Sequence, residues 1–556
     1  MFYLKKFNTI DEYEDFKRSA DYIEPNICGI EEGNLVFLTP YEPDHLAFEA
    51  LEPCTFSFTG NTIQYSMDGN TWNDLAVGSS TPTVNAGSKI YFKATNPSIT
   101  SSAGMGTFSS TGEFNISGNI MSMLYGDDFT GQTDLTGKNY AFGYLFKDCA
   151  GLVDASELIL PATTLAQSCY SSIFKGCTSL TTVPELPATT LATYCYRYMF
   201  QGCTSLTSAP ELPATTLATY CYQSMFSDCT SLTTVPELPA TTLATYCYQE
   251  MFKGCASLTT VPELPATTLA TYCYEYMFSG CTNLTSAPEL PATTLAGSCY
   301  MSMFSGCINL TTAPALPATT LATYCYSLMF SGCINLTTAP ALPATTLATY
   351  CYRGMFQGCT SLTTVPELPA TTLTTYCYTS MFYDCTSLTT APALPATTLT
   401  NYCYQSMFQG CTNLTSAPKL PATTLTTYCY SHMFYGCTSL TTAPVLPATT
   451  LATYCYQSMF SDCTSLTTAP ALPATTLKAR CYYRMFYGCS NLNNIAMFAT
   501  NISATNCLSE WVNGVASTGT FTKHPEMTSL PTGASGIPKG WTVVSDTPIH
   551  GGGSDD

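Results

Sequence analysis

The stretch LPATTLATYCYQSMFSDCTSLTTAPA, Leu446 to Ala471, follows about a dozen near-copies of itself at a strict 26-residue spacing. A fixed period of this length constrains the fold severely, because each unit can bury its apolar side only against the units before and after it. A chain of 556 residues would otherwise suggest about three or four compact domains. The repeat replaces several of these with one elongated, stacked core.

One copy shows how a unit is built. In CTSLTSAPELPATTLA, Leu206, Ala209 and Leu212 fall every third residue, as an extended segment turning through a coil would place them. Pro210 and Pro213 have no N–H, so strand pairing should be confined to SLTS, ending at the first proline. Next, Leu217, Cys221 and Met225 are spaced i, i+4, i+8, the face of a helix or 3₁₀ turn. Gly or Asp stands just before the second cysteine, at Gly202, Asp228, Gly254, Asp384 and Asp462. Both tolerate left-handed backbone, so these aspartates read as a backbone requirement and not as catalytic acids.

Thirty cysteines suggest a disulfide framework, but their placement argues against one. Twenty-six form thirteen pairs, from Cys169/Cys177 to Cys481/Cys489. In a helical stretch the eight-residue gap spans about 12 Å, beyond the ~7 Å limit for a bridge. Reduced, inward-facing thiol rows are expected, since a free thiol packs as a small hydrophobe. Zinc would want closely spaced Cys with His, and the four histidines, His45, His432, His524 and His550, are scattered.

The pattern MF-x-[GD]-C-x-x-L-T-x-x-P-x-L-P resembles the BspA-type leucine-rich repeat over residues 140–515. That resemblance implies a curved solenoid of the kind found on bacterial surface proteins and in relatives carried by their viruses. The expected fold is a repeat solenoid of the leucine-rich-repeat type, with short parallel strands plus short helices. It is preceded by a small α/β segment and a small β-sandwich domain. The divisions are an acidic α/β anchoring segment (1–48, with a helix opened by Thr9 and Glu12), a β-sandwich-like domain (49–138), the solenoid with capping repeats (139–515) and a C-terminal appendage with a flexible tail (516–556). Trp511-Val512 replaces Met-Phe and Val515 the second cysteine in the closing cap.

Variation among the copies marks a candidate surface. The pair after Cys-Tyr changes freely (Arg197-Tyr198, Gln249-Glu250, Glu275-Tyr276, Arg353-Gly354, Ser431-His432, Tyr483-Arg484), as does the residue after Met-Phe (Tyr383, Tyr435, Tyr487). Such positions should face solvent, and about fourteen rungs would give a stripe roughly 65 Å long. It reads either as ligand-facing or as drift on an unconstrained surface. Tyr194, Tyr220 and Tyr246, with Tyr196, Tyr222 and Tyr248, form a tyrosine ladder that could support the fold or stack on sugar rings. Glu185, Glu211, Glu237, Glu263 and Glu289 form a carboxylate row, either solvated or able to collect Ca²⁺.

A net charge of −19 speaks against nucleic acid, and no run reaches the roughly 18 apolar residues of a membrane helix. The first residues, MFYLKKFNTIDEYEDFKRSAD, are not a secretory signal peptide, which suggests folding in a cytoplasm. No pair of carboxylates is singled out and no phosphate loop is present, so neither enzyme activity nor a cofactor is expected. The segment 1–140 resembles leaders of structural proteins from bacteriophages of gut bacteria. The resulting expectation is a non-enzymatic virion protein, a tail or head fibre or spike. It would hold other virion proteins through residues 1–138 and a host surface glycan or protein through the repeats, with homo-oligomerisation left open. A bacterial cell-surface adhesin and a ligand-free spacer are the alternatives.

Overall fold

The computed structural model describes residues 44–95 and 106–546, together with three strands nearer the N-terminus, β1 (Tyr3–Lys6), β2 (Ile27–Glu31) and β3 (Asn34–Thr39). These three form an antiparallel sheet in the order β1-β3-β2. The charged helix expected after Thr9 lies outside the described residues.

Short alternating segments then build strands β4 (Leu46–Ala50), β5 (Phe56–Phe58), β6 (Ile63–Ser66), β7 (Asn73–Leu75), β8 (Lys89–Lys93), β9 (Phe108–Ser110) and β10 (Phe114–Asn119). Their buried faces meet in a phenylalanine cluster, in which Phe48 lies 4.6–5.2 Å from Phe92, Phe108, Phe114 and Phe56. A four-residue helix, α1 (Ser122–Tyr125), follows. The sheet continues past residue 138. Its order is β11-β10-β4-β8-β6-β7, and β11 (Leu152–Ile159), the first rung of the repeats, runs parallel to β10. Phe108 stacks on Phe146, and Phe146 on Phe174, so the N-terminal core and the repeat core are one.

Within the repeats, the segment expected to be helical is instead a ribbon of tight turns. The N–H of Arg197 donates to Tyr194 O and that of Met199 to Tyr196 O, three residues back. The intervening N–H groups cross to the next rung, Tyr196 to Cys221 O at 3.0 Å and Tyr198 to Gln223 O at 2.9 Å. Odd-numbered residues thus bond within the rung and even-numbered ones between rungs, which leaves the buried backbone satisfied. A helix would have used every N–H internally. Every fourth residue (Tyr194 φ 61, Tyr198 φ 58, Gly202 φ 74) turns left-handed, and this four-residue period, rather than the helical 3.6, produces the i, i+4, i+8 pattern.

The aspartates before the second cysteine adopt the same left-handed backbone, as expected (Asp228 φ 62, Asp462 φ 59). Each is followed one rung later by glycine, because a Cβ on Gly254 or Gly488 would run into the aspartate carboxylate beneath it. On the opposite, extended side, pairing shrinks to single parallel bridges such as Ser286 with Thr312 and Thr294 with Thr320. Prolines flank these bridges and cannot extend them.

Three rows fill the interior: the first cysteine with its tyrosine (Cys195, Tyr196), Met-Phe (Met199, Phe200), and the second cysteine with Leu (Cys203, Leu206), all fully buried. Phenylalanines stack at 5.5–5.8 Å and inner tyrosines at 5.7–6.1 Å. The half-buried Tyr194 row repeats at only 4.4–4.8 Å. Of the three aromatic rows, this one has the closest spacing from rung to rung.

The 29 cysteines from Cys54 onward are all free and buried. The second cysteine of each repeat donates its thiol to a phenylalanine carbonyl, Cys203 Sγ to Phe174 O at 3.1 Å, and burial pushes thiols such as Cys195 up to about 12. The native protein should therefore resist a thiol reagent at mildly alkaline pH. After denaturation without reductant, all thirty cysteines should react. A shortfall would mean bridges and would overturn the thiol rows.

At the C-terminal end, β12 (Asn494–Met497), β13 (Thr520–Lys523) and β14 (Thr542–Ser545) pair in parallel. Residues 516–546, expected as an appendage, add further layers to the stack.

Candidate functional site

Because the rungs share one period, side chains at equivalent positions lie on one another, and the variable stripe becomes a set of interlocked clusters. Arg197 donates from Nη2 to the Tyr198 hydroxyl at 2.6 Å and lies over the rings of Tyr198 (4.3 Å) and Tyr194 (5.1 Å). Lys175 covers Tyr198 from the preceding rung.

The middle cluster is an amide–carboxylate chain. Gln223 bonds to Gln249 and Gln249 to Glu275, each one rung on. Ser224 Oγ donates to Glu250 Oε2 at 2.9 Å, while Lys253 Nζ pairs with Glu250 at 3.0 Å and lies 5.3 Å from the Tyr276 ring centroid. Glu275 is only 6% exposed. Burial, with Glu250 adding to it, raises its pKa above the usual carboxylate range, and the Gln249 bond opposes the shift.

The third cluster lies toward the C-terminal end. Ser431 Oγ and His432 Nδ1 are 2.8 Å apart, with Tyr435 beside the imidazole. Burial lowers the His432 pKa, and burial together with a hydrogen bond to Asp462 raises that of Tyr435. Arg484 Nε donates to Glu510 Oε2 at 2.7 Å and lies over Tyr483 and Tyr487. Ser431 is fully buried, so this Ser–His contact offers no reachable nucleophile.

The stripe is therefore less open than its variability suggests. Arg353 is exposed, whereas Tyr383 and most other stripe residues are half-buried and Glu275 is buried, because neighbours on adjacent rungs cover one another. Sequence reasoning missed Lys175, Gln223, Asp462 and Glu510 as members. The repeat offset could have found all but Asp462.

Elsewhere, Glu185 to Glu289 form an exposed row that ends at Ala315 and Ala341, where Pro314, Leu316, Pro317 and Pro340 line a shallow apolar groove of about 410 Å³. Among the described residues, no group of three or more His, Cys, Asp or Glu could hold a metal ion. In the N-terminal module, Asp127 takes a hydrogen bond from Lys93 (2.7 Å) and contacts His45 (2.9 Å), with Lys93 lying over Trp72. The Lys93 bond, aided by His45, holds the Asp127 carboxyl below the usual range. This is a latch tying the turn after α1 to β8.

A column of rungs with buried leucines at a 26-residue step, altered only near its ends, defines a leucine-rich repeat protein. Residues 143–285, 223–354, 271–415, 328–467 and 404–510 match, in overlapping stretches, the family described as BspA type Leucine rich repeat region (6 copies), and the chain belongs to that family. No curated protein and no solved structure matches the chain.

Proposed function

We propose that this is a non-enzymatic virion structural protein, a tail or head fibre or spike, whose coiled solenoid presents a long surface to a host cell. The observation that carries the reading is the division of labour within each rung. The three interior rows barely change between Cys169 and Cys489, while the stripe positions accept Arg, Glu, Tyr, His and Ser. A surface of many similar rungs suits adhesion by repeated weak contacts with a glycan or protein, strengthened by avidity. The acidic residues 1–138 would hold the particle.

A bacterial cell-surface adhesin is the second reading, favoured by the family of the repeats. Mass spectrometry of purified virions beside the host surface fraction, following peptides from residues 1–48, separates the two. Adhesion itself is tested by replacing Tyr383, Tyr435 and Tyr487 together with Ser. Adsorption should fall about tenfold, equivalent to roughly 1.4 kcal/mol, with the fold retained. Unchanged adsorption would leave a spacer, a role that the mutual bonding of the stripe residues also suits.

A further inference from the structure

Between Tyr194 and Tyr454 the outer tyrosine row has one break, and Ser168, between Tyr140 and Tyr194, makes another at its N-terminal end. Tyr194, Tyr220, Tyr246 and Tyr272 stack in succession, as do Tyr324, Tyr350, Tyr376, Tyr402, Tyr428 and Tyr454, and only Ser298 separates the two runs. We propose that this break is a binding slot for one phenolic ring, walled by Tyr272 and Tyr324 and floored by Ser298.

The step from Tyr246 to Tyr272 and that from Tyr324 to Tyr350 are both 4.5 Å. Two such steps put the facing rings of Tyr272 and Tyr324 about 9 Å apart, so a flat ring midway stacks on each at the normal spacing of the row. A sugar chair is thicker than an aromatic ring and would force the walls apart. The rim of the slot is open to solvent: flanking Thr271 and Thr323 are exposed, whereas their equivalents Thr219, Thr245, Thr349 and Thr375 are half-buried. Ser298 is 4% exposed and lies at the bottom.

Packing does not demand the gap. Ser298 has φ 53, the conformation that tyrosine takes in the neighbouring rungs, so the backbone would accept a tyrosine there. Gly297 replaces the usual threonine, yet a Cβ on it would make only ordinary contacts with Thr271 Cγ2 and Thr323 O at 3.7 Å. This rung has thus lost both side chains that fill the space elsewhere, without a steric reason.

The hydroxyls along the row favour a phenol over a plain hydrocarbon ring. Burial and the neighbouring Tyr350 hydroxyl raise the Tyr324 pKa, and Tyr272 across the slot adds to the effect. A phenolic hydroxyl in the slot would join that line as the missing tyrosine would have done. The inference stands whether or not the chain adheres to a host.

The test uses the full chain and two probes, p-cresol for a free phenol and N-acetyl-tyrosine amide for a polypeptide side chain, followed by ligand-observed NMR titration. Saturable binding of at least one is expected, and S298Y, which fills the slot, should weaken it at least tenfold. Binding of p-cresol alone would assign the site to small phenols; binding of both would admit a partner's tyrosine. No saturable binding to the wild-type chain, equal binding to S298Y, or tighter binding of methyl β-glucoside would each overturn the proposal. Should S298Y fail to fold, Y324A removes one wall from a half-buried position and must weaken binding likewise.

Discussion

Trp511→Ala is expected to lower stability by about 3–5 kcal/mol, the range for removing a fully buried large aromatic side chain. Trp511 closes two stacked rows at once. It lies over Tyr482 (centroids 6.4 Å, 27°), against Phe486 (6.1 Å), and edge-on to Phe521 in β13 (6.1 Å, 85°). Its Nε1 donates to Gly536 O at 2.9 Å, so truncation also orphans an acceptor. In a stack whose stability is a sum of neighbour terms, this loss falls on one interface. The layers formed by β13 and β14 should therefore come away before the remainder unfolds. Urea unfolding should show a new early transition, and limited proteolysis should release a fragment from beyond residue 492. A single transition with an unchanged midpoint would mean that these layers do not seal the core.

That cap shows where the sequence is legible and where it is not. Cys, Phe and Leu recur at fixed places in every copy, and Met in all but the first, where Ile173 stands, so the period alone identifies the inner rows. Tyr196 recurs in all thirteen copies and Tyr194 in ten, with Ser168, Ser298 and Arg480 in the others, and the two read as one ladder, yet the structure buries the Tyr196 row and leaves the Tyr194 row half-exposed. The shared period says nothing of which row faces inward; only the three replacements at the outer position carry that signal. The turn ribbon is hidden for a related reason. Gly and Asp betray the left-handed position at 202 and 228, but its counterpart at 198 is Gly only at Gly354 and is Ser, Glu, Tyr, Leu, His or Arg in the other copies. There the inter-rung hydrogen bonds override local preference. The closing layers after residue 516 have no period at all, and only their pairing with β12 reveals them. In the stripe, the individual positions are readable but not their mutual burial, which depends on how closely the rungs approach.

The alternation of bonds within and between rungs implies a sharp asymmetry in tolerance to inserted residues, and natural length changes already trace it. Asp154 bridges Thr182, a step two positions longer than the one from Thr164 to Thr190, so the extra length lies between these bridges on the extended side. Near the other end, Thr468 bridges Asn494 at the ordinary step, but Leu472 reaches Met497 one position early, again on that side. One alanine inserted after Glu367, which is exposed there, should cost less than about 2 kcal/mol. The same insertion after Tyr352, inside the ribbon, reverses odd and even for the residues that follow. Gly354 N, Phe356 N and Gly358 N lose their acceptors on Thr379, Met381 and Tyr383, and Met355, Phe356 and Cys359 leave the core. At about 1–3 kcal/mol for each buried unsatisfied group, before any apolar loss, the total approaches the whole margin of an ordinary domain. Urea unfolding of the two insertion variants should give a near-normal midpoint for the first and loss of cooperative unfolding for the second. Equal stability of the pair would mean that the ribbon's alternating bonds do not set the repeat length.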